Sequence, residues 1–366
     1  MELLQNLLIE FRFANESDKA AALAAILTAA IRPSLSHAPM FHVRAHAVGS
    51  GKSYLCELIT AFASSQRGTP TTLPTDDEEC RKLLLAELLR SPPVIEFDNL
   101  TEDIKAYKSL CTVLTSEFFS SRILGVSKTT TVNTRTVFLS SGNNVGPIQD
   151  MARRCITINL NPEVEIPAGR TFSRPNLIND VLQKREFYVK AALIIIRAWI
   201  TAGSPKTDCK PLASYGGWSD LCRQPLLWLG CKDPTESIFA SLSEDPDREM
   251  LERLLNAWWS RFGNSPKMIR DIIQVAGHRT SQDDLYDILE DIAEERGEIN
   301  RRKLGKWIKR NSGRIVNNLR FVRCSGNSSA VRWQVESVSS VFPVSNSSDN
   351  KIANAAEEYK QATSGE

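Results

Sequence analysis

Val43-Arg44-Ala45-His46-Ala47-Val48-Gly49-Ser50-Gly51-Lys52-Ser53 follows a largely apolar run that starts at Met40, and it leads into Tyr54-Leu55-Cys56-Glu57-Leu58-Ile59, which has amphipathic helical spacing. The spacing predicts a strand, a tight loop and a helix. Gly49 and Gly51 let the backbone turn so that successive N–H groups point inward, where they suit phosphate oxygens. Lys52 is placed to reach the β and γ phosphates of ATP, and the Ser53 hydroxyl to ligate Mg²⁺. A helix beginning near Lys52 adds the positive end of its dipole. The candidate nucleotide cradle is Val48, Gly49, Ser50, Gly51, Lys52, Ser53 and Tyr54. The full phosphate-loop pattern asks for Gly where this chain has His46. The plainer alternative is a Gly-rich surface turn with Lys52 solvated. The strand before the loop and the helix after it argue against that.

Downstream, Pro92-Pro93-Val94-Ile95-Glu96-Phe97-Asp98-Asn99 reads as a buried strand that ends in a carboxylate. An ATPase with such a loop needs an Asp on a neighbouring strand to hold the Mg²⁺ shell, and Asp98 is the candidate. A Glu that polarises the attacking water commonly follows; here Asn99 does. Alternation puts Glu96 on the face of Asp98, where it either supplies the missing carboxylate or pairs with a cation. A further strand, Thr136-Val137-Phe138-Leu139-Ser140-Ser141, ends in Gly142-Asn143-Asn144. Asn143 or Asn144 fits a group that positions water against the γ phosphate; the bland reading is an Asn-Gly turn. Then Asp150-Met151-Ala152-Arg153-Arg154 precedes the strand Cys155 to Leu160. Arg154, and with less support Arg153, is placed to reach the γ phosphate of a neighbouring subunit; the alternative is a surface salt bridge.

In combination these residues resemble the helicase-like ATPases attached to primases in prophages, plasmids and integrative elements, which are AAA+-like and related to superfamily 3 helicases. Asp18 to Thr28 with Arg32-Pro33 looks like that family's lead-in helix, and Asp76 to Leu84 like its acidic-to-basic helix. Asp98-Asn99-Leu100 matches its Asp-Asn form of Walker B, and Arg122-Ile123-Leu124-Gly125, Gly142-Asn143-Asn144 and Asp150 to Arg154 match later signatures. Trp218, Trp228-Leu229-Gly230 and Asp233-Pro234 resemble its helical region. The resemblance spans about residues 10 to 260, and His46 departs where relatives often carry Pro. It implies an ATP-driven motor on single-stranded or forked DNA, assembled as a homo-oligomeric ring, with a separate primase as a possible partner. Priming by this chain is not implied. It also implies a pore-facing hairpin at Gly125 to Arg135, where Lys128 touches DNA or is simply an exposed lysine.

The expected fold is α/β: an AAA+-like P-loop NTPase core, a helical region and a C-terminal winged-helix domain. The expected boundaries are 1–35 for helical lead-in, 36–165 for the core, 166–265 for the helical lid, 266–337 for the winged helix and 338–366 for a disordered tail. Core strands are predicted near 40–47, 70–74, 93–98, 136–142 and 155–160, and a long helix from Asn176 to Ile200. Arg170 and Arg174, ahead of that helix, are candidate sensors of nucleotide or solvated cations. Trp218, Trp228, Trp258 and Trp259 read as core. The longest apolar stretch, Ala20 to Leu27, is too short to span a bilayer, and the N-terminus lacks the basic region of a signal peptide. Eight Cys without Cys-x-x-Cys spacing suit thiols in a reducing cytoplasm.

Net charge of +2 says little about partners, but its distribution does. Asp283 to Glu298 holds eight acidic residues and one Arg, whereas Arg301 to Gln334 holds ten basic residues and no acidic one. Helix, turn, helix and two strands follow in the order of a winged helix. Its second helix presents Leu304, Trp307 and Ile308 inward and Arg301, Arg302, Lys303, Lys306, Lys309 and Arg310 outward, as DNA binding requires. The alternative is a protein contact whose charges balance the acidic helix. The expected function is a helicase or translocase in replication of a mobile element. Two other readings stand beside it: an ATP-binding, DNA-binding regulator or initiator with weak hydrolysis, and a defence or partner-remodelling ATPase.

Overall fold

A helix that is apolar on every side has to be buried. In the computed structural model of this protein, α1 (Glu2–Leu7) leads into α2 (Glu16–Ile31), and every residue from Ala20 to Ala29 of α2 is buried. The structure describes residues 1–123, 125, 128–162, 173–243, 246–277, 284–324 and 331–338. It divides into two units, Met1–Asp245 and Pro246–Glu366.

In the first unit, β1 (Met40–Ala45) is followed by α3 (Lys52–Ala63), α4 (Asp77–Leu89), β2 (Val94–Leu100) and α5 (Lys108–Thr115). A hairpin of β3 (Phe118–Arg122) and β4 (Thr129–Asn133) comes next, then β5 (Val137–Asn143) and β6 (Cys155–Leu160). Four strands form one parallel sheet in the order β2-β5-β1-β6. Strand alternation sorts the core into two layers. Phe41, Val43, Leu139, Ile156 and Ile158 face α2 and α3, whereas Met40, Ile95, Phe97, Phe138 and Cys155 face α4 and α5. This is a mixed α/β architecture with a parallel sheet covered on both faces, consistent with a P-loop-like core.

Three expectations change. The predicted strand at 70–74 reduces to a single bridge, Thr71 to Phe97. Pro70 and Pro74 bracket it, and Pro cannot donate to a ladder. The β excursion after Gly125 has a partner upstream, because Phe118–Arg122 alternates exposed and buried residues and pairs with Thr129–Asn133. The single helix expected over Asn176 to Ile200 is two, α6 (Leu177–Gln183) and α7 (Arg185–Thr201), with Lys184 non-helical between them. Arg185 donates to the carbonyls of Ala61 and Phe62 at 2.9 and 2.7 Å, so the start of α7 caps the end of α3.

α8 (Gly216–Trp218), a π turn, α9 (Gln224–Trp228) and α10 (Glu236–Ser243) complete the unit. Trp218 is fully buried and donates to Thr28 Oγ1 at 2.8 Å. Trp228, expected in the core, is 38% exposed.

The second unit contains α11 (Pro246–Phe262), α12 (Ile269–Gly277) and α13 (Leu285–Ala293), then a minimal ribbon of β7 (Glu294–Glu295) and β8 (Glu298–Ile299). α14 (Arg301–Asn311) and the antiparallel pair β9 (Leu319–Cys324) and β10 (Arg332–Ser337) follow. The boundary at Asp245 assigns α11, which the sequence reading had placed in the helical lid, to this core. Leu251, Leu254, Leu255 and Trp258 of α11 are buried there, and the Trp258 ring meets Phe321 edge-on at 5.0 Å. Trp259, also expected in the core, is 38% exposed. Asn300 caps α14 by accepting the amides of Arg302 and Lys303. Leu304 and Ile308 are buried as expected, and Trp307 packs against the same core while half-buried. No helix of the described residues is long and apolar enough to cross a membrane. The tail expected at 338–366 lies, beyond Val338, outside the described residues.

Candidate nucleotide-binding site

The loop between β1 and α3 has the backbone that the glycines foretell. Gly49 and Gly51 have φ of 76° and 90°, in the left-handed region where a side chain is strained. Gly51 sits at the N-cap of α3 and no side chain caps that end. The first amides of α3 are therefore available to an anion. The Ser50 hydroxyl donates back to Ala47 O and tightens the loop, while Val48 stands 78% exposed at its tip.

Lys52 and Ser53 each meet one of the downstream groups. Lys52 Nζ donates to Asn143 Oδ1 at 2.7 Å and lies 3.5 Å from Ala47 O. Burial lowers the lysine from its ordinary value, and the nearby Asp98 charge partly opposes this. Ser53 Oγ donates to Asp98 Oδ1 at 3.1 Å, and Ser141 Oγ donates to the same oxygen. A hydroxyl and a carboxylate at the mouth of an anion cradle fit Mg²⁺, a hard cation that keeps waters and phosphate oxygens as its other ligands.

The strand ends explain how these side chains are aimed. The β2 ladder shifts register between Phe97 and Leu100, and Asn99 has φ of 56°. The Asn99 amide donates to Asp98 Oδ1 at 2.8 Å. Asn tolerates this conformation far better than Glu does, so Asn99 belongs to the bulge that orients Asp98. At the tip of β5, a Cβ on Gly142 would lie 2.4 Å from Val145 Cγ2 and 3.0 Å from Leu100 O. Asn144 follows with φ of 52°, and its Oδ1 lies 2.7 Å from His46 Nδ1. His46 thus anchors the loop to β5 at the position where the usual pattern has Gly.

Glu96 shares the α3 face of the sheet with Asp98 but lies deeper. It is 4% exposed, and its neighbours are Cys56, Thr60 and Gly68. Thr60 is two turns along α3 from Ser53, about 10 Å by helical rise. Glu96 Oε1 has no hydrogen-bond partner among the described residues. Burial first, and the Asp98 charge second, raise the carboxyl to about 7. Glu96 is thus buried beside Cys56 and Thr60 of α3, whereas Asp98, two residues on, is the carboxylate that meets Ser53.

The arginine pair is also reordered. Arg154 is the inner residue, with its side chain 10% exposed, and it donates to Asp150 O at 2.8 Å and pairs with Asp150 Oδ2 at 2.6 Å. Arg153 pairs with Asp150 Oδ1 through Nε and is 40% exposed. Burial pushes the Asp150 carboxyl up, but the hydrogen bonds and charges of both arginines outweigh this and hold it below the ordinary value. Arg154 is thereby held inward, while Arg153 keeps the more exposed guanidinium. Arg174 donates to Asn6 O at 3.3 Å, beside α1, and is not brought to Lys52. Arg170 and Leu124 lie outside the described residues.

Sequence reasoning missed Phe11 and the pairing that delivers it. Ala14 N donates to Asn159 O and Asn161 N to Arg12 O, which lays residues 11–14 along the end of β6. Phe11 then stacks on Tyr54 with ring centroids 6.1 Å apart and touches the position of a Gly51 Cβ at 3.9 Å. No turn or periodicity marks this segment, so only the tertiary pairing finds it.

Of the candidate nucleic-acid residues, Lys128 is exposed at the end of the β3–β4 loop, where its carbonyl accepts the Ile123 amide. Arg301, Arg302, Lys303, Lys306, Lys309 and Arg310 are all exposed on α14. Lys303 Nζ donates to Glu294 O at 3.1 Å.

No family model matches the chain, and no curated protein matches it. Among solved structures, it is similar to the apo C-terminal region of NrS-1, with a TM-score of 0.43 and 13% identity over 90% of this chain and 77% of that one. A second similarity is to the structure titled SCCmec type IV Cch, active helicase, with a TM-score of 0.29 and 13% identity over 88% of this chain and 60% of that one. Both likenesses are too distant to bear on function, which rests on the geometry of the site.

Proposed function

We propose that this protein is an ATP hydrolase of the AAA+-like P-loop class that drives movement on DNA, a helicase or translocase serving replication of a mobile element. One observation carries the reading. Residues from the start of α3 and from the ends of β2 and β5, Ser53 with Asp98 and Lys52 with Asn143, converge on a loop whose glycines and free helix amides make an anion cradle. Val48 through Tyr54 would hold the phosphates of ATP. Ser53 and Asp98 would hold Mg²⁺, which neutralises phosphate charge when bound. Asn143, which now accepts from Lys52, would be freed to orient water if Lys52 turned to a bound phosphate. Asn144, tied to His46, holds the loop in register. Arg153 would serve a neighbouring subunit of a closed ring. In the second unit, three helices precede the ribbon, α14 and the hairpin, an order that would contain a winged helix to recruit the DNA.

Steady-state ATP turnover with and without single-stranded DNA tests this. Wild type should exceed Lys52→Ala in both conditions and rise with DNA; equal rates in the two proteins would sink the motor. Asp98→Asn should abolish Mg²⁺-dependent turnover, whereas Glu96→Gln should stay within a factor of about three of wild type.

One observation favours a second reading, an ATP-dependent DNA-binding regulator with weak hydrolysis. Asn99 occupies the place beside Asp98 where a water-polarising carboxylate is common, and Glu96 is 4% exposed. Tight ATP binding without turnover, and DNA affinity that changes with ATP, would select the regulator.

A further inference from the structure

The cations of α14 do not form one surface. Arg302, Gly305, Lys306 and Lys309 are spaced so that they share one helix face. With Ile269 of α12, and with Arg323, Val331 and Trp333 of and beside the β9–β10 pair, they line an open groove of about 410 Å³. That lies within the range of roughly 300–1,000 Å³ typical of sites for small organic groups. Gly305 is costly in mid-helix, by about 1 kcal/mol relative to Ala. Its use here is steric: a Cβ would lie 3.0 Å from Ile269 Cδ1, so the glycine lets Ile269 close against the helix. Arg301, Lys303 and Arg310 lie off this face.

The chemistry of the lining is one-sided. Its four charged side chains, Arg302, Lys306, Lys309 and Arg323, are all cations and all exposed, and none has a side-chain partner among the described residues. No lining side chain is a hydrogen-bond acceptor; the remainder is Ile, Gly, Val and Trp. A peptide laid there would leave its backbone N–H groups without acceptors from these side chains. A phosphodiester backbone accepts only, so it leaves no donor unmatched. A duplex buries its base faces in the stack, whereas a single strand can lay a base on an apolar floor between flanking phosphates.

We propose that this groove is a single-strand DNA site, in which one base rests on the exposed Val331 and the half-buried Ile269, above the buried Trp333, while Arg302, Lys306, Lys309 and Arg323 hold adjacent phosphates. This deepens the reading that the second unit handles DNA, and it assigns binding to the cleft between helix and hairpin, not to insertion of α14 into a duplex groove. It also separates two classes of cation. Those around the cleft act together, and Arg301 contributes only to the general field.

The test uses the full chain without nucleotide, so it stands apart from ATP hydrolysis. Fluorescence anisotropy is read with labelled oligo-dT and with a blunt duplex of the same length, at two salt concentrations. Single strand should bind about tenfold tighter than duplex, with affinity falling as salt rises. Val331→Glu puts an acid in the groove at a half-exposed position that no core depends on. It should cost about tenfold in single-strand affinity, and Arg323→Glu should cost as much. Arg301→Glu should cost much less. Three results would overturn the proposal: a preference for duplex with Val331→Glu neutral; equal losses from Arg301→Glu and Arg323→Glu; or displacement of oligo-dT by poly-glutamate as effectively as by unlabelled DNA. Retained ATP turnover of wild type over Lys52→Ala, alongside any of these, would show that the groove assignment failed and the motor did not.

Discussion

At the scale of single residues, the site depends on positions whose backbone or crowding excludes ordinary side chains. Gly142 is the sharpest case, since Val145 and the Leu100 carbonyl occupy the space of its Cβ. Gly142→Ala should destabilise the protein by about 1–3 kcal/mol, read as a lower urea midpoint with unchanged slope. It should also loosen Asn143 and Asn144, weakening nucleotide binding in parallel. Glu96 gives a pH signature. Its carboxyl is raised from 4.5 to about 7, so the folded protein holds a proton that the unfolded chain gives up. The stabilisation from the neutral carboxyl is complete below the ordinary value and is lost as pH rises through 7. Glu96→Gln fixes the neutral form. Its stability should match wild type in acid and exceed it by on the order of 2 kcal/mol at pH 8, measured by urea unfolding across pH. His42 acts in the opposite sense. Buried between Ser140 Oγ and Val145 O, its imidazole is lowered to about 4, chiefly by burial. Its contribution is present above the ordinary imidazole value and is lost as pH falls through 4, so the two groups oppose each other across the acid range. The glycines, Lys52, Ser53 and Asp98 were legible from residue type and spacing. The depth of Glu96 was not, because alternation along a strand gives the face and says nothing of how far along the facing helix the residue falls.

At the scale of elements, the parallel strands were legible because each is a short apolar run, as strands buried on both faces must be. The errors share one cause, which is that local pattern does not reveal partners. Thr71-Thr72-Leu73 has strand-like residues, but its prolines deny it a ladder. Phe118 to Arg122 becomes a strand only because Thr129 to Asn133 pairs with it. The α6–α7 break at Lys184 lacks Gly or Pro, and Arg185 just after it donates to the carbonyls at the end of α3. The largest consequence concerns α11, which supplies four fully buried side chains to the second unit. A fragment of residues 246–338 should therefore fold on its own with a cooperative thermal transition in circular dichroism. A fragment beginning at residue 266 loses Leu251, Leu254, Leu255 and Trp258 and should show none, since each large buried apolar residue contributes about 2–5 kcal/mol. If the shorter fragment melts cooperatively at the same temperature, α11 is not part of that core.

At the scale of the whole molecule, the proposed motor makes the loop half of a site. One chain would supply the cradle, Ser53 with Asp98, and the β5 amides, while Arg174 is held beside α1 by its bond to Asn6 O. Asp150 divides the labour of its two arginines by burial: Arg154 is locked inward, and Arg153 keeps an exposed guanidinium on the same anchor. An exposed arginine held on a rigid turn just before a core strand suits action on another copy, which requires a head-to-tail interface. Arg153→Ala should leave ATP binding near wild type while lowering turnover by about 10³ or more. Arg154→Ala should lower thermal stability instead, because it strips Asp150 of its buried partner. Mixing distinguishes an arginine acting in trans from one acting within its own chain. Lys52→Ala and Arg153→Ala are each expected to be inactive alone. In a mixed ring, about one interface in four pairs an intact Lys52 with an intact Arg153 from the neighbour. Equal mixtures should therefore recover a substantial fraction of wild-type turnover, and the recovery should grow with protein concentration. A mixture as inactive as its parts, at concentrations where wild type is assembled, would place Arg153 outside the site.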